Sequence, residues 1–340
     1  MRIAQIMAGA EYGGAETFFI RLVLALGREG LDQRVFIRNH PKRAKVLSEG
    51  GVEATQAKFG GILDFKTPAL LKREIKIFKP DIVFSWMNRA SAMAPTGDFV
   101  RVGRLGGYYP LKHYMKCDHL VGNTQDIRDY LIKEGWPAAR SHYLPNFVTE
   151  EPAPPLRRQD FFTPDTVPLI LAMGRLHENK AFDILLQALS RVPNAYLWIA
   201  GDGPLRQDLE DLAEQLAVKP RVRFLGWRED VSALLQTADI FACPSRHEPL
   251  GNVILEAWAQ NVPIVAADSF GPGTLINHLI SGVLVPIDDP IMLAKGIRTL
   301  IEDDRLRDEV SKQGRASYDS RFRESEVVER YIQFFQDILS

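Results

Sequence analysis

The chain has 340 residues, of which 46% are hydrophobic and 25% charged, and its formal net charge is −1. This length predicts two domains of an ordinary globular protein, and no apolar run approaches the roughly 20 residues that cross a bilayer. The N-terminus lacks the organisation of a signal peptide, and Cys117 and Cys243 offer neither a disulfide framework nor metal-ligand spacing, so we expect a reducing, cytoplasmic setting.

Apolar runs alternate with amphipathic stretches along the first half, which predicts parallel βαβ construction. The predicted strands are Ile3–Ala8, Gln33–Ile37, Ile82–Ser85, Val100–Arg104, His119–Gly122 and His142–Leu144. The predicted helices are Gly14–Arg28, Thr67–Phe78 and Thr124–Glu134. Gly13 and Gly14 lie between the first strand and the first helix, where exposed backbone amides can bind an anion. Any βα turn can use such a pair, so this signal is weak alone.

The alternation stops between Asn146 and Pro168, where prolines and mixed charges predict a linker. It resumes with strands at Leu169–Met173, Tyr196–Ala200, Val222–Leu225, Ile240–Cys243, Ile264–Ala267 and Gly282–Val285. Helices are predicted at Ala181–Leu189, Leu205–Leu216, Val231–Leu235, Gly251–Gln260, Pro290–Ile301 and Asp304–Tyr318, with a last amphipathic segment at Glu324–Leu339. The pattern thus predicts domains at 1–147 and 168–322, a linker at 148–167 and a terminal helix within 323–340.

The segment Glu248-Pro-Leu-Gly-Asn-Val-Ile-Leu-Glu256 places two carboxylates where a loop becomes a helix. Seven residues lie between them, so Glu256 is eight steps along the chain from Glu248. At a rise of about 1.5 Å per residue this puts them roughly 12 Å apart. That distance suits one carboxylate on a sugar and the other on a ribose, with a diphosphate between them. The alternative is a helix that merely carries two acidic residues.

Together with four further features, this segment resembles the E-x7-E motif of retaining glycosyltransferases of family 4, which have the GT-B fold. The features are Gly13-Gly14-Ala15-Glu16, Gly174-Arg175-Leu176 with Lys180, Gly201-Asp202-Gly203-Pro204, and Pro263-Ile-Val-Ala-Ala267. The resemblance covers nearly the whole chain and is strongest from about 168 to 300. It implies an α/β protein whose two Rossmann-like parallel-sheet domains face each other across a cleft, with the terminal helix packing back on the first domain.

The resemblance also implies a nucleotide-diphosphate sugar bound to the second domain. Glu248 would contact a hydroxyl of the donor sugar, and Glu256 would accept hydrogen bonds from the ribose. The amides around Leu250, Gly251 and Asn252 would hold the sugar and phosphate.

Two cations are expected at the diphosphate. Arg175 and Lys180 follow Gly174 at the carboxyl edge of the second sheet, where open α/β sheets bind ligands. They would offset the charge that grows on the leaving oxygen. As isolated residues they would be ordinary surface cations.

Other expected donor contacts are less specific. Gly201 and Gly203 allow close approach to a ligand or form a tight turn. Trp227 and Arg228 line the nucleobase, or Trp227 is a packing residue. His247 contacts the donor phosphate or orients its turn.

The chain departs from the family on the acceptor side. Many members carry a histidine where this sequence has Gly106-Gly107. His113 lies slightly downstream and could supply that role from a helix, although a lone histidine is more often structural. Asn88 and Arg89, after the strand Ile82–Ser85, are candidate acceptor contacts or a polar loop.

These features favour a metal-independent, hexosyltransferase-type enzyme without a cofactor, because Asp288-Asp289 reads as a loop and helix cap rather than a metal-binding pair. A UDP-sugar is the first choice of donor and a GDP-sugar the second. A cell-surface lipid or polysaccharide precursor, such as that of lipopolysaccharide, is the expected acceptor. The alternatives are a GT-B sugar-nucleotide epimerase or phosphorylase, and a non-catalytic nucleotide-sugar-binding protein.

Charge is unevenly distributed along the chain. Residues 1–150 carry 22 Lys and Arg against 15 Asp and Glu, whereas the remainder carries 20 against 28. The basic half suits an anionic membrane surface, on the inner face of the cell membrane, or a phosphorylated acceptor, and equally an ordinary set of solvated helix faces. Nucleic acid is disfavoured because interleaved aromatic residues are missing.

Overall fold

The computed structural model describes residues 1–11, 13–61 and 63–340. The chain divides into two compact units, which we call unit 1 (Met1–Phe147 with Glu324–Ser340) and unit 2 (Val148–Arg323). Each unit contains one parallel sheet with helices. The predicted fold class, α/β with two Rossmann-like parallel-sheet domains, is therefore confirmed.

Unit 1 is built on the strands β1 (Arg2–Met7), β2 (Asp32–Arg38), β3 (Ala54–Ala57), β4 (Ile82–Trp86), β5 (Val100–Leu105), β6 (His119–Gly122) and β7 (Ser141–Tyr143). Its first helices are α1 (Gly14–Arg28), α2 (Pro41–Glu49), α3 (Lys66–Phe78), α4 (Met87–Met93) and α5 (Gln125–Lys133). The sheet order is β3-β2-β1-β4-β5-β6-β7. Every residue of β4 is buried, because this strand lies inside a sheet that helices cover.

Three elements of unit 1 differ from the sequence predictions. β3 reads Ala-Thr-Gln-Ala and has no β-branched run to predict it, and α2 has little apolar periodicity. Asn88 and Arg89, predicted as acceptor contacts or as part of a polar loop, lie in α4, which starts directly after β4. Met87 opens this helix with a φ of 62°, a left-handed conformation that reverses the chain direction at once.

Unit 2 is built on the strands β8 (Leu169–Met173), β9 (Tyr196–Ala200), β10 (Val222–Gly226), β11 (Ile240–Cys243), β12 (Ile264–Ala267) and β13 (Val283–Val285). Its helices are α6 (Phe182–Leu189), α7 (Arg206–Gln215), α8 (Val231–Thr237), α9 (Asn252–Ala259), α10 (Phe270–Leu275), α11 (Pro290–Glu302) and α12 (Asp304–Asp319). The sheet order is β10-β9-β8-β11-β12-β13. β8, which lies inside the sheet, is therefore flanked by β9 and β11, and its carboxyl end is the middle of the edge that carries the candidate site.

Residues 148–167, predicted as a linker, are part of unit 2. The backbone N–H of Leu156 donates to Thr237 Oγ1 at 2.7 Å, and Arg158 donates to the Thr237 carbonyl at 2.7 Å. Trp198 Nε1 donates to Thr163 Oγ1 at 2.9 Å. The segment contains one short 3₁₀ helix, Arg158–Phe161, and these hydrogen bonds fasten it to the second sheet and its helices.

The last helix, α13 (Glu324–Asp337), packs on unit 1. Tyr331 and Phe335 are fully buried in the aromatic core of this unit. Arg104 of β5 is only 2% exposed, and its Nε donates to Tyr331 Oη at 3.0 Å while its Nη2 donates to Asn146 Oδ1. Its guanidinium also lies over the Trp86 ring, 4.6 Å from the centroid, so a buried cation ties α13 to the sheet.

In the part of the chain that the structure describes, no helix is long and apolar enough to cross a membrane.

Candidate active site

Two glycine turns, one after β8 and one after β9, interlock at the carboxyl edge of the unit 2 sheet. A Cβ on Gly201 would come within 1.9 Å of the Gly174 carbonyl oxygen, and one on Gly203 within 2.5 Å of the Leu176 carbonyl oxygen. The Leu176 N–H donates to the Asp202 carbonyl at 2.9 Å. Gly201 and Gly203 are thus required because backbone approaches backbone, which fits the tight turn that was the alternative to close ligand approach.

Lys180 and Glu248 form an ion pair at this edge. The stem of Lys180 packs over Gly174, where an added Cβ would lie 3.0 Å from Lys180 Cε. Gly174 has a φ of 149°. The side chains of Lys180 and Glu248 are only 22% and 13% exposed, respectively. Burial opposes the charged form of the lysine, but the neighbouring Glu248 carboxylate outweighs burial, with help from Glu256, and raises the pKa of Lys180. The ammonium is therefore fixed as a cation in a poorly hydrated position.

Arg246 fastens together the two segments that carry this ion pair. Its Nη1 and Nη2 donate to both carboxylate oxygens of Asp183, at 3.0 and 2.7 Å, and Nη1 also donates to the Glu178 carbonyl at 2.8 Å. Its Nε donates to Asp288 Oδ1 at 2.5 Å. Sequence reasoning missed this residue, because nothing in Pro-Ser-Arg-His distinguishes a clamp from a surface cation.

The loop after Glu248 leads into the N-terminus of α9. Gly251 is the N-cap residue and has a φ of 82°, which favours glycine. Leu250 is buried beneath the loop. The N–H of Gly271 donates to the Glu248 carbonyl at 2.7 Å, so the start of α10 supports the same loop. The first-turn amides of α9, including that of Asn252, lie at the N-terminal end of the helix dipole, which favours a negatively charged ligand.

Four other predicted donor-site residues have different surroundings. Arg175 is exposed at the end of β8, and His247 is exposed with its ring 5.8 Å from that of Phe270. Trp227 is 46% exposed after β10. Arg228 donates to both oxygens of Asp230, at 2.8 and 2.5 Å, and this carboxylate raises the pKa of Arg228.

In unit 1, Gly13 and Gly14 lie where the β1–α1 loop becomes helix α1. The Glu16 carboxylate is buried beneath this loop and accepts from the Ala10 N–H at 2.7 Å. A Cβ on Gly13 would come within 2.4 Å of Glu16 Oε2, so a larger residue there would displace the Glu16 carboxylate. Arg43, 3% exposed, donates to the Ala10 carbonyl at 2.8 Å, and burial lowers its pKa although Glu16 opposes that shift. Glu16 and Arg43 therefore bind both the N–H and the carbonyl of Ala10.

The acceptor-side candidates are less clearly organised. His113 lies in the 3₁₀ turn Leu111–His113 and is half-buried. Arg89 Nη1 donates to the Phe59 carbonyl at 3.0 Å, which commits it to the β3–α3 connection. Asn88 lies at the carboxyl end of β4. Within residues 1–11, 13–61 and 63–340, no three His, Cys, Asp or Glu side chains come close enough together to hold a metal ion.

Solved structures with this architecture identify the fold. HepE of Anabaena, solved in complex with UDP and glucose, matches with a TM-score of 0.86 at 20% identity, over 99% of this chain and 100% of that chain. At this identity the likeness establishes the fold, which is the GT-B fold of glycosyltransferases.

Sequence relatives establish the family. The family described as "Glycosyl transferases group 1" matches residues 155–317. The lipopolysaccharide core biosynthesis glycosyltransferases LpsD and LpsE of Rhizobium meliloti are 35% and 34% identical, each over 98% of both chains. The chain therefore belongs to the group 1 glycosyltransferases.

Proposed function

We propose that this protein is a retaining, metal-independent glycosyltransferase of family 4 that acts in lipopolysaccharide core assembly. It transfers a hexose-type sugar from a nucleotide-diphosphate sugar, UDP-linked as first choice and GDP-linked as second, to a lipid-linked saccharide acceptor. The donor occupies unit 2 and the acceptor unit 1. The relatives LpsD and LpsE support the pathway, since each aligns with nearly the whole chain.

The observation that carries this proposal is the Lys180–Glu248 ion pair beside the N-terminus of α9. A poorly hydrated ammonium and a helix N-terminus together match a diphosphate, and the adjacent carboxylate matches a sugar hydroxyl. Glu256 lies in α9 and is close enough to Lys180 to raise its pKa. In this position we assign Glu256 to the ribose.

In the proposed mechanism the departing phosphate oxygen takes the acceptor's proton as the new glycosidic bond forms on the same face of the sugar. Lys180 and Arg175 offset the charge that develops on the diphosphate, while the α9 amides orient it. Glu248 holds the donor sugar by a hydroxyl. No nucleophilic side chain and no divalent cation takes part.

The test is a panel of donors, namely UDP-glucose, UDP-galactose, UDP-N-acetylglucosamine and GDP-mannose, incubated with core-truncated lipopolysaccharide. We expect transfer from one donor with retention at the anomeric carbon, unchanged by EDTA. Incubation without acceptor distinguishes an epimerase, which would convert the donor alone. Inverted product or EDTA-sensitive transfer would contradict the mechanism, and binding without turnover of any donor would identify a non-catalytic protein.

We also propose that unit 1 docks on an anionic membrane, on the cytoplasmic side where nucleotide-sugars are found. Leu63 and Phe65 are 86% and 74% exposed. Asp64 between them accepts from the Gly60 N–H at 2.7 Å and from Thr67 Oγ1 at 2.6 Å, which holds the segment in place. The exposed face of α3 then continues with Lys66, Lys72, Arg73 and Lys76. Apolar side chains beside a cationic helix face match an anionic lipid surface.

Vesicle co-sedimentation tests this docking. We expect binding to phosphatidylcholine vesicles only when they contain phosphatidylglycerol, and weaker binding when Leu63 and Phe65 are both changed to Ser. Phe162→Ser, which changes a phenylalanine of unit 2 that is 83% exposed, is the matched control. Equal binding with and without the anionic lipid would contradict the proposal.

A further inference from the structure

The loop between β1 and α1 is fastened from outside by the start of helix α2. Arg43 Nη2 donates to the carbonyls of Ala10 and Glu11, at 2.8 and 3.2 Å. His40, the N-cap residue of α2, has its Nε2 3.1 Å from the same Glu11 carbonyl. Two basic side chains from the start of α2 therefore bind two consecutive carbonyls of a different loop.

The ring of His40 serves this purpose in one neutral form. Its Nδ1 accepts from the Arg43 N–H at 3.0 Å, so this nitrogen carries no proton. The proton of the neutral ring is therefore on Nε2, which donates to the Glu11 carbonyl. The His40 N–H donates to Gln56 Oε1 at 2.8 Å, which ties the residue to β3. One ring thus caps α2 and binds the loop.

Arg43 lies beneath the loop rather than on the surface. The residue is 3% exposed, and the Glu16 carboxylate is buried beneath the same loop. A Cβ on Gly9 would come within 2.4 Å of Glu16 Oε1, so the chain passes close over this carboxylate. Burial lowers the pKa of Arg43 although Glu16 opposes that shift, so the guanidinium is held here at a cost. Since a surface loop can bind water instead, the buried cation indicates that a fixed loop conformation matters.

The loop after β1 lies where a parallel sheet of this kind binds ligands. The strand order β3-β2-β1-β4-β5-β6-β7 changes direction between β1 and β4. In open α/β sheets, ligands bind in the crevice outside the carboxyl ends of the strands at such a point. The β1–α1 loop borders that crevice, so its position affects a bound substrate.

We propose that Arg43 and His40 are positioning residues for the transfer reaction. By binding the carbonyls of Ala10 and Glu11, they hold the β1–α1 loop in the conformation in which it contacts the substrate. They act through the loop rather than on the substrate itself. The inference rests on the proposed function and extends it to α2, a helix that carries none of the motif residues.

The first test compares Arg43→Met with Arg43→Lys. A misplacement of about 1 Å can lower turnover by about 10²-fold, and we expect kcat for transfer to core-truncated lipopolysaccharide to fall about tenfold or more in Arg43→Met. The Kd for UDP should stay within about twofold, because the nucleotide is assigned to unit 2. Arg43→Lys should restore part of kcat, since an ammonium can still donate to one carbonyl. The matched control is Arg221→Met, because Arg221 Nη1 also donates to two carbonyls, those of Val192 and Ala195, but in unit 2 directly before β10.

A double variant separates positioning from stability. Arg43→Met leaves the Glu16 carboxylate buried without this cation, which can destabilise unit 1 by itself. Combining it with Glu16→Gln removes both charges and keeps an oxygen that accepts from the Ala10 N–H. We expect the thermal unfolding midpoint of the double variant to return towards that of wild type while kcat stays low. His40→Asn, which can still cap α2 but is too short to reach the Glu11 carbonyl, should show a smaller loss of kcat.

Hydrogen exchange reports on the loop without requiring activity. We expect amide exchange in the β1–α1 loop to be faster in Arg43→Met than in wild type. Donor hydrolysis without acceptor then identifies the substrate that the loop positions. Normal hydrolysis in Arg43→Met points to the acceptor and an equally reduced rate points to the donor, and both results support the inference.

Three results would overturn the inference and leave the proposed function intact. They are loop exchange as slow as in wild type, a kcat of Arg43→Met close to that of wild type, and a kcat that recovers together with stability in the double variant. An equal loss of kcat in Arg221→Met would likewise show a general effect on stability. Wild-type protein that uses no donor of the panel would instead refute the proposed function and this inference with it, which distinguishes the two failures.

Discussion

The carboxyl edges of the two parallel sheets are finished in different ways. In unit 2 the turns after the strands fasten one another: Gly201 packs on the Gly174 carbonyl, Lys180 pairs with Glu248, and Arg246 binds Asp183 and Asp288. In unit 1 the same edge carries Asn88 and Asn123, whose side-chain Oδ1 atoms are buried. One edge is closed by ion pairs and packed turns, and the other keeps two buried amide oxygens without a hydrogen-bond partner among the described residues.

This difference follows from the chemistry that each edge is proposed to meet. A diphosphate gains charge as the bond to the sugar breaks, and fixed cations stabilise that charge best when they need no rearrangement. A sugar hydroxyl carries no charge, so it requires hydrogen-bond partners rather than fixed cations. The predictions below test the contrast, beginning with the largest effect.

Lys180→Met should cause the largest loss. Removing one fixed donor to developing charge typically lowers kcat by about 10²–10³-fold, and we expect that range here. Steady-state kinetics with saturating donor measures the change, and circular dichroism checks the fold. Lys219→Met, which removes the exposed ion pair with Glu214, is the matched control and should leave kcat unchanged. A kcat close to wild type would remove Lys180 from the mechanism.

Arg246→Met should have the next largest effect, although Arg246 is not assigned to the ligand. Without its hydrogen bonds to Asp183 and the Glu178 carbonyl, the segment that carries Lys180 loses its position, and a misplacement of about 1 Å can lower turnover by about 10²-fold. We expect kcat to fall while the KM for donor changes little. Arg246→Lys should restore only part of kcat, because a lysine cannot bind Asp183 through two nitrogens. An equal loss in Arg315→Met, whose ion pair with Asp319 lies elsewhere in unit 2, would show a general effect on stability.

Glu256→Gln should weaken nucleotide binding and leave the chemical step almost unchanged. A hydrogen bond to a charged group contributes about 1.5–3 kcal/mol, so the Kd for UDP should rise about tenfold or more. Isothermal titration calorimetry with UDP measures this directly, with Glu302→Gln as an exposed control. Unchanged affinity would refute the assignment of Glu256 to the ribose.

Two histidines in the neighbouring strands β6 and β7 of unit 1 provide a prediction about the pH dependence of stability. Their titration should not affect activity. His142 Nε2 lies 3.0 Å from His119 Nδ1, and its ring packs on Phe334 of α13 with centroids 4.7 Å apart. Burial, assisted by His119 and Arg128, lowers the pKa of His142 to about 4. Since the unfolded chain takes up this proton at a higher pH than the folded chain does, stability should be complete above about pH 6.5 and should fall as the pH approaches 4.

Urea unfolding between pH 7.5 and 4 measures this slope. His142→Phe should flatten it and keep transfer at pH 7.5 near wild type. A slope that is the same in wild type and variant would show that other groups, such as Asp337 or His119, determine the loss.

The regular framework was predictable because apolar periodicity identifies buried strands such as Leu169–Met173 and helices such as Asp304–Asp319. The missed elements are those without periodicity: β3 carries no strong strand former, and α4 depends on the left-handed Met87. The site could be predicted where chemistry is local in sequence, as in Glu248 to Glu256. The Arg246 clamp joins Arg246 to Asp183, which lie 63 positions apart in the sequence, and only the fold brings such residues together.

The buried guanidinium of Arg104 has a consequence for the order in which the protein assembles. Its partner Tyr331 is translated after the whole of unit 2, so the ribosome releases the first 147 residues long before their core acquires its last helix. Until then the Arg104 guanidinium must be hydrated or must hydrogen-bond to other groups. Unit 1 should therefore complete its folding only after unit 2 has emerged from the ribosome. A chain cut before Glu324 should therefore give a second sheet that folds normally and a first sheet that remains sensitive to proteases.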